Sequence, residues 1–540
     1  MPDILLIQPP IQDFYLTAKR TLPYGLASIA AALRQAGFTV DICDGLATTR
    51  NREIPWPEGT DYLAPFYGRP DLSPYALFHR FRHYGYSLEH IAGRARDSGA
   101  FLIGISSLFT AYSDMATATA AAVRKACPHT HIVMGGHHPT ALPEAVMGHE
   151  AIDFVLRGDG EVGMPLLAGA LRHGRGFEDV PGLVWRRPEG GLNVQPPAVA
   201  ADLDRLPVPA FDLIDWRHYQ RAGRGSLSLS ASRGCPLHCT YCAVNAASHH
   251  GYRRRSVAAI VEELKAAREC HPIGFIDFED EHLSADKPWA MALMEEVTRC
   301  FGASKPELRA MNGLYAPALD EAILLSMQKA GFRTLNLALI TTSPAQLKRF
   351  GRSPVAADLD RVLILASGLG LKTVAYLIAA GPGQDPHESV EDLLFLARRR
   401  VLAGLSIFYP APGSSDYRWC DKSGRLPAAF GLMRATALPL AHITDRRQAV
   451  TLLRLARILN FMKSLRDQGR SLPAPAKAPR HIDPKADRMT VGCRLLSAFF
   501  NDDAIYGLEK NGQVYRHQSD PALILRFRRG VSSTALQGTC

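Results

Sequence analysis

Residues Ser232–Cys242 read SRGCPLHCTYC, with cysteines at 235, 239 and 242 and Tyr241 directly before the last. Thiolates are ligands for zinc or for iron–sulfur clusters. A structural zinc site wants four ligands. The nearby candidates for a fourth are His238, His249 and His250. No second Cys-x-x-Cys pair or paired-histidine pattern completes a zinc module. Three cysteines can instead bind three irons of a 4Fe-4S cluster and leave the fourth iron open to a non-protein ligand. The remaining seven of ten cysteines (43, 127, 270, 300, 420, 493, 540) are scattered and make no disulfide framework.

Working outward, SLSLSA lies just upstream and reads as a strand. GFIDFED, ELRAMNG, TLNLALI, KTVAYLIA and GLSIFYP follow as further strands. Helical stretches such as AAIVEELKAAREC and PWAMALMEEVTRCF lie between them. Six such units predict a partial (β/α)6 barrel over residues 226–445. The functional groups of such a barrel sit at the C-terminal ends of its strands, and the cysteine triplet falls just after the first.

Residues 1–165 alternate strands and helices, as in a doubly wound, Rossmann-like α/β domain. Its strand ends carry the loops QPP, SSLFTAYSD, GGHHPT and RGDGE, where ligands of such sheets bind. A proline- and aromatic-rich insertion, about residues 46 to 85, reads as a surface loop packed on this domain, with closure over a substrate as the alternative. Residues 166–225 read as a connecting segment and residues 446–540 as a mostly helical region.

The hydrophobic fraction of 47% allows large cores. No run approaches roughly 18 apolar residues, so no transmembrane helix is expected. MPDILLIQPP lacks the features of a secretory signal, and a cytoplasmic protein with reduced thiols is the expectation. The formal net charge is +10, with arginine clusters at Arg253–Arg255, Arg398–Arg400 and near Arg526–Arg529. These read as solvated helix faces. No nucleic-acid partner is expected, because no DNA-reading module is recognisable.

The Cys235-x3-Cys239-x2-Cys242 motif, with Tyr241 and its place after a first barrel strand, resembles the radical S-adenosylmethionine superfamily. The resemblance implies that S-adenosylmethionine chelates the open iron through its amino and carboxylate groups. One electron from the cluster then splits the sulfonium and makes a 5′-deoxyadenosyl radical, while the protein aims it and excludes water. Contacts to S-adenosylmethionine are implied for Tyr241, for Asp280 and Glu281 after the second strand, for Asn312 after the third, and for Gly381 and Gly383 in AAGPGQD after the fifth. The fourth strand departs from the family. Where a Glu and then Ser-Gly-Ser are often found, this chain reads LALITTS, with Ile340 and Thr341.

The N-terminal half resembles the cobalamin-binding members of that superfamily, on PYGLASIAAALRQAGFTVDICDG, GGHHPTALPE and DFVLRGDGE. Methylthiotransferases carry a further three cysteines there, whereas this half has only Cys43 and Cys127. Cobalamin contacts are implied for Ser106, Ser107, Thr110, Gly135, Gly136, His137, Gly158 and Glu161. The glycines let backbone approach a bulky ligand. The N-terminal domain lacks the Asp-x-His-x-x-Gly signature whose histidine ligates cobalt. Asp280-Glu281-His282 lies in the barrel, with Ala285 in place of the glycine. No protein histidine on cobalt is therefore expected, with His137 and His138 as the challengers.

The resemblance to this family implies a methyltransferase acting on an unactivated carbon or phosphorus centre. One S-adenosylmethionine would load methylcobalamin and leave S-adenosylhomocysteine. A second would give the radical that takes a hydrogen from the substrate, which then collects the methyl. Non-methylating radical chemistry (cyclisation, ring contraction, oxidation) is the alternative, and a non-catalytic cobalamin or iron–sulfur sensor is a third reading. The implied partners are a small-molecule or lipid-like substrate and a low-potential electron donor, flavodoxin or ferredoxin.

Overall fold

The computed structural model describes residues 1–14, 22–244, 251–439, 443–533 and 536–539; His249 and His250 lie outside them. The N-terminal sheet is built on short, mostly apolar runs. β1 (Ile4–Gln8) lies between β2 (Val40–Asp44) and β3 (Leu102–Ser106), and β4 (His131–Gly135) and β5 (Phe154–Leu156) continue on the β3 side. All five are parallel. Such strands are covered on both faces, so both residue sets of β1 are buried. Ile4 and Leu6 enter one core and Leu5 and Ile7 the other. Helices α1 (Tyr24–Gln35), α2 (Leu88–Ser98), α3 (Ser113–Ala126) and α4 (Gly160–His173) supply the covers, α1 packing with α4 and α2 with α3. The order β2-β1-β3-β4-β5 is that of doubly wound sheets whose ligand crevice opens between β1 and β3.

This domain runs past the expected boundary at 165. Pro165 lies inside α4, where it removes a single backbone bond without ending the helix. β6 (Leu183–Arg186) and β7 (Leu192–Val194) then add antiparallel beyond β5. Leu183 and Val184 are fully buried, so this part of the presumed connection belongs to the sheet.

The barrel has the six strands read from the sequence. β8 (Arg224–Leu229), β9 (Ile273–Phe278) and β10 (Glu307–Arg309) form one parallel run; β11 (Thr334–Ile340), β12 (Lys372–Ala379) and β13 (Leu402–Ile407) form another. Bridges Leu308–Phe332 and Leu314–Leu337 join the two. The connecting helices are α5 (Val257–Cys270), α6 (Lys287–Phe301), α7 (Glu321–Ala330), α8 (Ala356–Gly368) and α9 (Pro386–Ala397). Side chains of Ser256, Asp286, Asp320 and Asp385 cap four of them.

α10 (Arg446–Asp467) starts at a capping box of Asp445 and Gln448 and packs on β13. α11 (Arg488–Asp502), a hairpin of β14 (Tyr506–Leu508) and β15 (Val514–Arg516), and α12 (Pro521–Ser532) complete the chain. No described helix is long and apolar enough to cross a membrane.

The aromatic insertion is not a loop lying on its own domain. It joins that domain to the C-terminal region. Leu72 N–H donates to Leu508 O at 2.8 Å, and Tyr75 OH donates to Gly492 O at 2.8 Å. Tyr75 also meets Phe461 of α10 edge-on at 5.6 Å. Nor is the first arginine cluster wholly a solvated face: Arg254 is exposed, but Arg253 and Arg255 keep only 14% and 10% of their side chains exposed, and both are ion-paired.

Candidate active site

The cysteine loop leaves the C-terminal end of β8. Its entry, Ser232–Arg233, pairs antiparallel with Arg253–Arg254. The acids after β9 hold that entry. Asp280 accepts from Ser232 Oγ at 2.5 Å and from Ala231 N–H at 3.1 Å; Glu281 accepts from Gly234 N–H at 3.1 Å. Asp280 is 2% exposed, and burial pushes its carboxyl up to about 7. Asp280, expected at the cofactor, here holds the entry of the cysteine loop. Glu281 is half-buried and carries the same duty at Gly234.

Cys235, Cys239 and Cys242 are free and partly exposed. Burial first, and the neighbouring thiols after it, push the Cys242 thiol up to about 11. Arg352 donates to Cys239 Sγ at 3.7 Å, and its Nε and Nη2 are buried without a protein partner. Behind the loop, Tyr241 meets Phe350 edge-on at 4.9 Å. Phe350 occupies the space left by Gly381, where a Cβ would fall 2.7 Å from its Cζ. Tyr241 and Gly381 therefore build a wall for the loop. Gly383 is exposed, in a turn with φ +77°. Asn312 is exposed at the end of β10, its amide donating to Glu279 O at 2.8 Å.

The fourth strand ends where the sequence departs from the family. Ile340 has φ 71° at a register shift between β11 and β12, and Ala380 after β12 has φ 61°. A β-branched residue in this conformation stores about 1–3 kcal/mol of strain. Thr341 is 1% exposed, and its hydroxyl accepts from Ser343 N–H. The departure makes a buried turn at the barrel mouth.

Among the described residues no three His, Cys, Asp or Glu side chains converge to hold a single metal ion, and His238 is exposed. Zinc is poorly served. Three free thiols along one loop, with a guanidinium donating to one of them, fit an anionic multi-iron cluster, whose ligands are spread over several metal atoms.

The carboxyl edge of the N-terminal sheet is made differently. Ser106 ends β3, and Ser107 N–H donates to Gly135 O at 2.7 Å. His138 N–H donates to Ser107 O at 3.2 Å. Gly136 has φ +123°, and a Cβ there would sit 2.5 Å from Ser107 O, so only glycine lets these loops meet. The Ser107 hydroxyl is buried without a partner in the protein and is open to a hydrogen bond from a bound group. Leu108 and Phe109 beside it are 42% and 53% exposed. A glycine edge, an unpaired hydroxyl and bare apolar surface fit a large ligand with amide groups, as cobalamin is.

His138 is buried, its Nδ1 is 3.2 Å from Thr110 Oγ1, and its ring meets Phe430 edge-on. Burial brings it down to about 4, so it is neutral. It is engaged in packing, and His137, the first residue of the same short helix, His137–Ala141, is exposed. Gly158 and Glu161, also expected at cobalamin, lie at the seam with the following segment and the barrel. Gly158 bridges to Ala198, and a Cβ there would fall 2.2 Å from Ala198 O. Glu161 is ion-paired with Arg233 at 2.6 Å. Sheet closure and the barrel loop occupy them both.

Residues 76–168 match the B12 binding domain family, and residues 229–396 match the Radical SAM superfamily. One chain thus matches a B12-binding domain followed by a Radical SAM domain. The chain is 25% identical over 477 residues to the cytidylyl-2-hydroxyethylphosphonate methyltransferase of Streptomyces wedmorensis, over 80% of this chain and 84% of that protein. It is 26% identical over 307 residues to the anaerobic magnesium-protoporphyrin IX monomethyl ester cyclase of Rubrivivax gelatinosus, over 54% and 53%. The radical S-adenosylmethionine methyltransferase TsrM from Kitasatospora setae, solved with tryptophan substrate and an S-adenosylmethionine analogue, shares the fold. Its TM-score is 0.59 at 18% identity, over 80% of this chain and 82% of that one.

Proposed function

We propose that this chain is a cobalamin-dependent radical S-adenosylmethionine methyltransferase acting on an unactivated carbon or phosphorus centre of a small-molecule or lipid-like substrate. The observation that carries the reading is the seam between the two sites. Arg233, two residues before the first cluster cysteine, is ion-paired to Asp159 and Glu161 at the carboxyl edge of the cobalamin-binding sheet. Sites on adjoining edges of one chain suit a reaction that uses both groups. The match to a curated methyltransferase over most of both chains supports it.

When bound, the cluster and cobalamin supply one-electron cleavage of S-adenosylmethionine and a carrier for its methyl group. The chain's residues do the rest. Cys235, Cys239 and Cys242 would hold the cluster, on a loop fixed by Asp280 and Glu281. Arg352 offers its unpartnered N–H groups to a carboxylate beside Cys239. Ser107 offers its hydroxyl to a corrin amide, and Gly135 and Gly136 keep the edge low enough for that approach. A flavodoxin or ferredoxin would deliver the electron.

The test is product analysis by mass spectrometry, on anaerobically reconstituted protein with cobalamin, S-adenosylmethionine and reductant. Both 5′-deoxyadenosine and S-adenosylhomocysteine are expected, and Cys239→Ala should abolish the deoxyadenosine. Deoxyadenosine alone from the wild type would move the assignment to non-methylating radical chemistry, which the similarity to the cyclase favours. Neither product from protein carrying a full cluster would overturn both.

A further inference from the structure

We propose that the ion pairs joining Asp159 and Glu161 to Arg233 and Arg253 form a latch that sets how the cysteine loop sits against the cobalamin-binding domain. This rests on the methyltransferase reading above.

Arg233 is a fork with one acid on each prong. Its Nη1 is 2.7 Å from Asp159 Oδ1 and its Nη2 is 2.6 Å from Glu161 Oε1. Arg253, across the two-residue ladder, reaches Asp159 Oδ2 at 3.0 Å and Ala200 O at 2.5 Å. Asp159 also accepts from Ala200 N–H at 2.8 Å. The acids come from the cobalamin-binding domain and the arginines from the barrel. Both arginines belong to the ladder that opens the cysteine loop, and that ladder is pinned from below by Asp280 and Glu281. Any shift of the α4 entry therefore passes to Cys235 through two residues.

The burial argues for geometry rather than stability. The Arg233, Arg253, Asp159 and Glu161 side chains are 24%, 14%, 14% and 7% exposed. Burying charges costs several kcal/mol per ion, and their attraction often does no more than offset it. Such a network contributes little net stability, but it admits one arrangement, since displacement leaves buried charges unpaired. Asp159 shows the balance: burial pushes its carboxyl up, and the Arg233 charge, the Ala200 N–H and Arg253 together outweigh that and hold it below the ordinary range. One domain must present S-adenosylmethionine to cobalamin held on the other. Deoxyadenosine formation needs only the barrel.

The experiment uses reconstituted full-length protein carrying Asp159→Asn with Glu161→Gln, or Arg233→Gln. S-adenosylhomocysteine formation should fall about tenfold or more, because small misplacement is costly. Deoxyadenosine formation and the cluster's electron paramagnetic resonance signal should hold within about twofold. In protein without cobalamin, amide exchange should rise at residues 157–162 and 232–235. Combining the two sets should be no worse than either alone, as expected of residues acting as one unit. Arg233→Lys should restore only part of the effect, for lack of the fork. Parallel loss of both products, or no change in either, would overturn the latch. So would unchanged exchange. A wild type without S-adenosylhomocysteine would sink the methyltransferase reading instead, while the exchange result still decides whether the seam is tight.

Discussion

The cysteine loop and the carboxyl edge of the N-terminal sheet are made of opposite materials. At the loop, chemistry is carried by side-chain donors: three thiols, with Arg352 beside them. At the edge it is carried by backbone and by what is missing: a glycine against a carbonyl, a hydroxyl without a partner, two bare apolar side chains. A cluster is small and needs a few strong ligands. A corrin is large and is held by many weak contacts, so its site is a shape. That difference explains which site is readable in sequence and which substitutions should hurt.

The largest effect is expected from adding one methyl to the edge. At Gly136, alanine meets both a positive φ and a carbonyl oxygen at 2.5 Å. Strain and overpacking together should cost about 3 kcal/mol or more. At Gly383, near the cluster loop, alanine meets a positive φ but nothing closer than 3.6 Å, and should cost about 1 kcal/mol. Thermal midpoints and cobalamin titrations of the two variants, side by side, check this. Equal effects would break the contrast between a backbone-built and a side-chain-built site.

The two inter-domain seams should differ in their response to pH. The latch at Arg233 pairs guanidiniums with carboxylates. The seam of the aromatic insertion relies instead on His517, which lies 2.9 Å from buried Asp71, with Arg454 behind. Burial, then the Arg454 charge, brings His517 down from 6.5 to about 4. Burial pushes Asp71 up, but the hydrogen bond from His517 and the Arg454 charge outweigh it and bring it to about 2. Between about pH 6.5 and 4 the unfolded chain therefore binds a proton that the folded seam refuses. Stability is full above that window and falls through it as pH drops, by up to about 3 kcal/mol. Hydrogen exchange at residues 69–76 and 506–517 should rise across the window, and His517→Gln should flatten the dependence. A flat wild-type profile would mean that His517 enters the fold already charged.

Legibility followed the same division. The barrel's six strands and the strands of the N-terminal sheet could be read because most are short apolar or alternating runs bounded by glycine or polar residues. The three cysteines could be read because thiolate spacing has few other uses. The seams could not. Tyr75 finds Gly492 across 417 residues, and no periodicity marks such a pair. Glu161 is implied at cobalamin by the resemblance of DFVLRGDGE, which says nothing of its ion pair with Arg233, two residues from the cysteine motif. Arg253 and Arg255 belonged to a charge run, and such runs usually face water. Arg352 stands in RFGRSP with no spacing to single it out; only the fold carries it to Cys239.

The smallest effect tests the edge most sharply. Ser107 is 3% exposed and its hydroxyl has no partner in the protein. Leaving a buried hydroxyl unpaired costs about 1–3 kcal/mol, so an alanine there should leave the cofactor-free protein as stable as the wild type, or about 1 kcal/mol more stable. If the hydroxyl meets a group on cobalamin, the same change should weaken cobalamin binding by about fivefold, the equivalent of about 1 kcal/mol. The two measurements move in opposite directions only for a residue kept for its ligand. A serine kept for the fold would lose stability on substitution and leave the titration unmoved, and the edge would then be a packing device with the corrin seated elsewhere.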